Sequence, residues 1–149
     1  MSAIPTTGPI LALDWGEIRF GIARSDETQF LATPLETLTR RAGKRFPMPR
    51  FLELVAASAP VGVIVGLPLA LDGTEGPNAR AARELAELVG RRTALPVELV
   101  DERYTTVTAL DAIREVGGST RGRKGDVDAL AASVLLQGFL DARRARSGR

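Results

Sequence analysis

Residues 10–24 constrain this chain more tightly than any other stretch. Ile10-Leu11-Ala12-Leu13 is wholly apolar and ends on an acid, Asp14. Trp15-Gly16-Glu17 has the composition of a tight turn. Residues 18–24 then alternate Ile18, Phe20 and Ile22 with Arg19, Gly21 and Ala23. A short apolar run bounded by turn residues is a buried strand, and a period of two is the strand period. Residues 9–14 and 18–24 are therefore predicted to form an antiparallel hairpin. After a turn at 25–29, residues 30–39 supply a third strand.

Beyond the hairpin the pattern changes. Pro49 opens a helix over 49–58 with Phe51, Leu54 and Val55 on one face. Residues 61–65 are a continuous apolar run suited to a central parallel strand. Residues 66–77 read as a loop, 78–91 as a helix with Ala81, Leu85, Leu88 and Val89 inward, and 97–100 as a short strand. Thr106 caps a helix that ends before Gly117-Gly118. A polar, basic loop follows over 118–125. The last helix is predicted over 126–145, with Val127, Leu130, Ala131, Val134, Leu135 and Phe139 as its apolar stripe. Three strands followed by alternating helix and strand predict an α/β domain: a mixed sheet of about five strands, the first three antiparallel, flanked by helices. The 149 residues make one domain, with no repeat or linker and with 1–9 and 143–149 as flexible ends. The apolar run at 10–13 is too short for a signal or a membrane span, and no basic residue precedes it, so a cytoplasmic protein is expected.

Chemistry is limited by two absences. The chain has no cysteine and no histidine, which removes disulfides, thiol catalysis, thiolate zinc sites and imidazole mechanisms. Any metal must accept oxygen ligands, as Mg²⁺, Mn²⁺ and Ca²⁺ do. The formal net charge is only +2, yet residues 40–50, 119–125 and 143–149 hold twelve of the twenty basic residues and no acid. Segregation of this kind presents basic surface to an anionic partner. Eighteen of the twenty are Arg, whose fork suits phosphate.

Three acids fall at telling places. Asp14 ends the first strand, Glu102 follows the last, and Asp128 lies in the first turn of the last helix. In open α/β sheets, ligands collect beyond the carboxyl ends of the parallel strands. Each acid also has a plainer use. Asp14 suits a hydrogen bond to the Gly16 turn, Glu102 an ion pair with Arg103, and Asp128 the dipole at a helix start. Asp126 competes with Asp128 for both roles. Asp101 is a further candidate, and one of the neighbours Asp101 and Glu102 is expected to face away.

Four segments, in order, resemble the YqgF/RuvX family. Leu13-Asp14-Trp15-Gly16-Glu17-Ile18-Arg19-Phe20-Gly21-Ile22-Ala23 is similar to its opening hairpin. Val65-Gly66-Leu67-Pro68-Leu69, followed by Asp72-Gly73-Thr74-Glu75-Gly76, is similar to its Gly-Leu-Pro loop. Asp101-Glu102-Arg103-Tyr104-Thr105-Thr106 resembles its Asp-Glu-Arg-Leu-Thr-Thr box, and residues 124–132 resemble its final Asp-bearing helix. The resemblance implies an RNase H-like fold related to RuvC-type resolvases. It also implies a nuclease, acting in 5′-end maturation of pre-16S ribosomal RNA or on Holliday junctions. Asp14, Glu102 and Asp128 would then be catalytic and would hold two Mg²⁺ or Mn²⁺ ions, Asp14 bridging both. Paired ions about 3.5–4 Å apart serve in-line phosphodiester hydrolysis in such sites. Arg19, Arg103, Tyr104, Arg121, Arg123 and Lys124 are the candidate contacts to nucleic acid, either branched DNA or precursor rRNA. The chain departs from the pattern at Ile18, where a polar residue is usual, at Tyr104 in place of Leu, and at Ala70 in place of Asn. Tyr104 could stack on a base.

Two other classes compete. A sugar kinase or actin-type ATPase also opens on an Asp-x-Gly hairpin, but needs two such domains to enclose ATP, and 66–76 lacks the Lys of a P-loop. A catalytically silent nucleic-acid-binding module would not need all three acids. A junction, being nearly two-fold symmetric, would suit a homodimer.

Overall fold

The computed structural model describes residues 3–40, 45–70, 72–102 and 124–147, with the side chains of the last stretch described from Val127 onward. Strands β1 (Ile10–Asp14), β2 (Arg19–Ser25) and β3 (Ala32–Thr39) come first. Helix α1 (Met48–Ser58), strand β4 (Gly62–Leu67), helix α2 (Pro77–Thr93), strand β5 (Val97–Asp101) and helix α3 (Lys124–Ser147) follow. The five strands form one sheet in the order β3-β2-β1-β4-β5. The β1–β2 and β2–β3 pairs are antiparallel, while β1–β4 and β4–β5 are parallel. This is the mixed sheet expected from the sequence. The strands β1, apolar up to its terminal Asp14, and β4, wholly apolar, occupy its interior and are buried along their full length, as strands covered on both faces must be.

Strand alternation sorts side chains into two layers. Leu11, Leu13, Phe20, Ile22, Val63 and Val65 pack on one face with Phe51 and Leu54 of α1 and Ala82, Leu85, Ala86 and Val89 of α2. Ile10, Ala12, Ala23 and Ile64 pack on the other against Ala132, Leu135, Leu136, Phe139 and Leu140 of α3. Prolines open α1 and α2, where the missing N–H leaves no helical bond unmade.

Several expectations are corrected. β4 runs on to Leu67, two residues past the expected end. In α2 the inward alanines are Ala79, Ala82 and Ala86, and Ala81 is only half-buried. Helix α3 starts at Lys124, so Asp128 is its fifth residue and not in its first turn. Leu130 is exposed, and Ala129, Ala132, Leu136 and Leu140 take inward positions instead. The last helix runs on to Ser147, two residues past its expected end at Ala145. Arg143 is buried and donates from Nη2 to the Ile4 carbonyl at 2.8 Å and from Nη1 to Gln29 Oε1 at 3.3 Å. The N-terminal end is pinned as well. Ile4 is buried, and Gln29 Nε2 donates to the carbonyls of Pro5 and Gly8 at 2.8 and 2.9 Å. The helix expected after Thr106 and before Gly117, and residues 118–123 of the basic loop, lie outside the described residues.

Candidate functional site

Alternation along β1 decides where Asp14 points. Ile10 and Ala12 belong to the α3 layer, so Asp14, two residues on, faces α3 at the strand's carboxyl end; it is 9% exposed. Directly across β2 stands Gly21. On the other side β4 runs parallel with Leu13 beside Val65, so Gly66 is the next residue alongside. Asp14 therefore sits between two glycines on one row of the sheet.

Each glycine makes room for one of the other two acids. A Cβ added at Gly21 would lie 1.9 Å from the Asp128 carbonyl oxygen and 2.4 Å from its carbon. The α3 backbone thus rests directly on β2 at Asp128. A Cβ at Gly66 would lie 2.7 Å from Glu102 Oε1 and 3.0 Å from Leu135 Cδ2, so the Glu102 carboxylate lies over β4. Val100 packs in the α3 layer and Leu99 in the opposite one. The Glu102 carboxylate, just past the end of β5, lies on the same side of the sheet as Val100. Gly21 and Gly66 both lie in the segments that resemble the family, the hairpin and the Gly-Leu-Pro loop. The signal was there: glycine inside a strand commonly marks close backbone approach.

Asp128 is engaged. Arg19 Nε donates to its Oδ2 at 2.7 Å, with the two side chains 42% and 29% exposed. Arg19, expected to meet phosphate, thus answers an acid of the same site. Asp14, Asp101 and Glu102 also have partners. Among the described residues, no three acids stand close enough together to hold a metal ion. Asp14, Glu102 and Asp128 nonetheless stand around two side-chain-free strand positions, and carboxylates are a donor set that fits a hard divalent ion in kind and no soft one.

The basic surface is partly committed elsewhere. Arg50 is bound to Glu36 through Nε at 2.8 Å and Nη2 at 2.6 Å, which holds the Glu36 carboxyl below its usual range. Arg40 donates to the Glu17 carbonyl and lies 5.8 Å from the Phe20 ring centroid. Ile18, the apolar replacement in the hairpin, is 54% exposed. Arg103, Tyr104, Arg121 and Arg123 lie outside the described residues, as do the side chains of Lys124 and Asp126.

Comparison with known proteins bears on this arrangement. A Mycobacteroides abscessus protein named "Putative pre-16S rRNA nuclease" is 43% identical over 141 residues, covering 94% of this chain and 85% of the relative. An Anaeromyxobacter protein of the same name is 44% identical over 141 residues, covering 91% and 98%. Among solved structures, Thermus thermophilus RuvC in complex with a Holliday junction substrate matches with a TM-score of 0.58 at 15% identity, covering 95% of this chain and 96% of RuvC. That likeness shows the RNase H-like fold expected from the sequence. The family model described as RuvX, Holliday junction resolvase, matches residues 8–142, and the chain therefore belongs to the RuvX family.

Proposed function

We propose that this chain is a divalent-metal-dependent endonuclease that hydrolyses phosphodiester bonds in structured nucleic acid, with Asp14, Glu102 and Asp128 as its catalytic acids. One observation carries the reading: Asp14 is flanked on its sheet row by Gly21, under the Asp128 backbone, and by Gly66, under the Glu102 carboxylate. Three acids far apart in sequence thereby approach one face at the carboxyl ends of the parallel strands, where α/β folds collect ligands. The names of the relatives, pre-16S rRNA nuclease and Holliday junction resolvase, support a substrate of this class.

In hydrolysis, water forms a new bond to phosphorus, one P–O ester bond breaks, and negative charge grows on the phosphoryl oxygens. Mg²⁺ or Mn²⁺, when bound, neutralises that charge and makes the attacking water more acidic. The protein supplies anionic oxygens in fixed places. Asp14, buried at the strand end, would hold the ions together with Glu102 and Asp128. Asp101 is given no part in the reaction. Arg19, with Arg103, Arg121, Arg123 and Lys124, contacts phosphates, and Tyr104 stacks on a base. These contacts position the substrate without reading its sequence. On a four-way junction, paired incisions would require two copies of the site and hence a homodimer; one site suffices at an rRNA end. Among the described residues no helix is long and apolar enough to cross a membrane, and the reading puts the chain in the cytoplasm with its substrate.

The test is cleavage of a labelled four-way DNA junction and a precursor 16S rRNA end, side by side, under Mg²⁺ or Mn²⁺ titration. Cut products that appear only with metal are expected. Retarded but uncut substrate at every metal concentration would identify a silent binding module instead.

A further inference from the structure

The Arg19–Asp128 pair joins two groups that the proposed reaction needs separately. Asp128 would ligate a cation, and Arg19 would meet a phosphate. In the structure each occupies the other, Nε to Oδ2 at 2.7 Å. The pair spans 109 residues of sequence and ties the first residue of β2 to α3. It lies where α3 already touches the sheet, since the Asp128 backbone rests on Gly21, two residues from Arg19 on the same strand. The helix backbone is therefore fixed by packing, and the salt bridge is not needed to dock it. What the salt bridge fixes is the direction of one carboxylate. Both side chains are partly exposed, at 42% and 29%, so the pair can exchange partners without burying a bare charge.

We propose that Arg19 is a positioning residue that holds the Asp128 carboxylate out of the acid cluster in the metal-free protein, and that a divalent cation binds by displacing it. The inference rests on Asp128 being a metal ligand. It accounts for the finding that, among the described residues, no three acids stand close enough together to hold an ion. It also carries a thermodynamic consequence. Any anion that takes Arg19 away, a substrate phosphate above all, frees Asp128 and tightens metal binding, and metal binding frees Arg19 for phosphate by the same factor.

The experiment is Mn²⁺ binding to the full chain, without nucleic acid, by titration calorimetry. It compares wild type, Arg19→Gln, Arg19→Lys, Asp128→Asn and the double variant Arg19→Gln/Asp128→Asn, each checked for the wild-type circular dichroism spectrum. Arg19→Gln is expected to tighten Mn²⁺ binding roughly two- to fivefold, the strength of a part-exposed ion pair. Arg19→Lys should restore affinity close to that of wild type. In the Asp128→Asn background the effect of Arg19→Gln should vanish, because it acts through that carboxylate and not through general repulsion of the cation. Equal or weaker Mn²⁺ binding by Arg19→Gln, while Asp128→Asn weakens it, would overturn the inference and leave the metal-site reading standing. An Arg19→Gln effect that persists undiminished without Asp128 would overturn it too. Unchanged affinity in Asp128→Asn alone would instead remove Asp128 from the metal site and take the inference with it.

Discussion

Replacing Gly21 by Ala isolates the close approach on which the site's geometry depends. Gly21 is ordinary strand backbone, paired in register with Asp14, so alanine meets no conformational objection. The objection is steric. The new methyl would lie 1.9 Å from the Asp128 carbonyl oxygen, and the nearest atoms are all helix backbone, which no rotamer change can move. Restoring ordinary contact requires α3 and β2 to separate by about 1.5 Å at this point. Overpacking of this kind costs about 1–3 kcal/mol. For a chain of this size that lowers the thermal midpoint by roughly 2–10 °C. The displacement also carries Asp128 away from the Asp14 row, and a misplacement of about 1 Å can reduce turnover on the order of 10²-fold. Gly90→Ala in α2 is the control: its methyl would stand 3.6 Å from Val97 Cγ2 of β5, an ordinary contact. Helix propensity should then raise stability by about 0.5–1 kcal/mol. Thermal unfolding by circular dichroism and junction cleavage at a temperature where both variants are folded read the two effects. Wild-type stability and cleavage in Gly21→Ala would refute the reasoning.

Other predictions follow from particular contacts. Asp26 Oδ1 accepts from the backbone N–H of Leu31 at 2.9 Å and of Phe30 at 2.8 Å, and Thr28 donates to Oδ2. The Leu31 bond leads in lowering its carboxyl from 3.8 to about 2. Because the folded carboxyl is the stronger acid, its stabilisation is complete above pH 4 and is lost as pH falls towards 2. Urea unfolding of Asp26→Asn should lack that part of the acid dependence, and an unchanged pH profile would contradict it. Arg143→Met strips the charged donor from the Ile4 carbonyl and Gln29. It should lower unfolding stability by about 2 kcal/mol, read as a urea midpoint, with the loss concentrated in hydrogen-exchange protection of the N-terminal segment.

Much of the fold was legible because strands announce themselves by period and length. The hairpin at 10–24, the buried run at 61–65 and the helices expected over 49–58 and 78–91 all have counterparts at those places in the structure. The last helix was harder. From Val127 to Leu140 nearly every residue is apolar or small, so one stripe fits about as well as another. Only the sheet beneath decides that Leu135, Leu136 and Leu140 go in and Leu130 stays out. Arg143 misleads for a different reason. A run of arginines at a chain end has the composition of a solvated tail, and its partners are backbone carbonyls more than a hundred residues away. In the candidate site, strand-end position and the family resemblance brought Asp14 and Glu102 forward as candidates. The Arg19–Asp128 pair depends on a tertiary approach that no spacing encodes, and it turns an expected phosphate contact into an acid's partner.

The central claim is that Asp14, Glu102 and Asp128 serve one cation-dependent cleavage centre, and Asp14→Asn tests it most directly. Asparagine keeps the shape of the buried strand end and removes its charge. Cleavage of the four-way junction and of the precursor rRNA end, measured with Mg²⁺ or Mn²⁺ on a variant with the wild-type fold, should fall below detection for both substrates. Cutting at the wild-type rate would contradict the account.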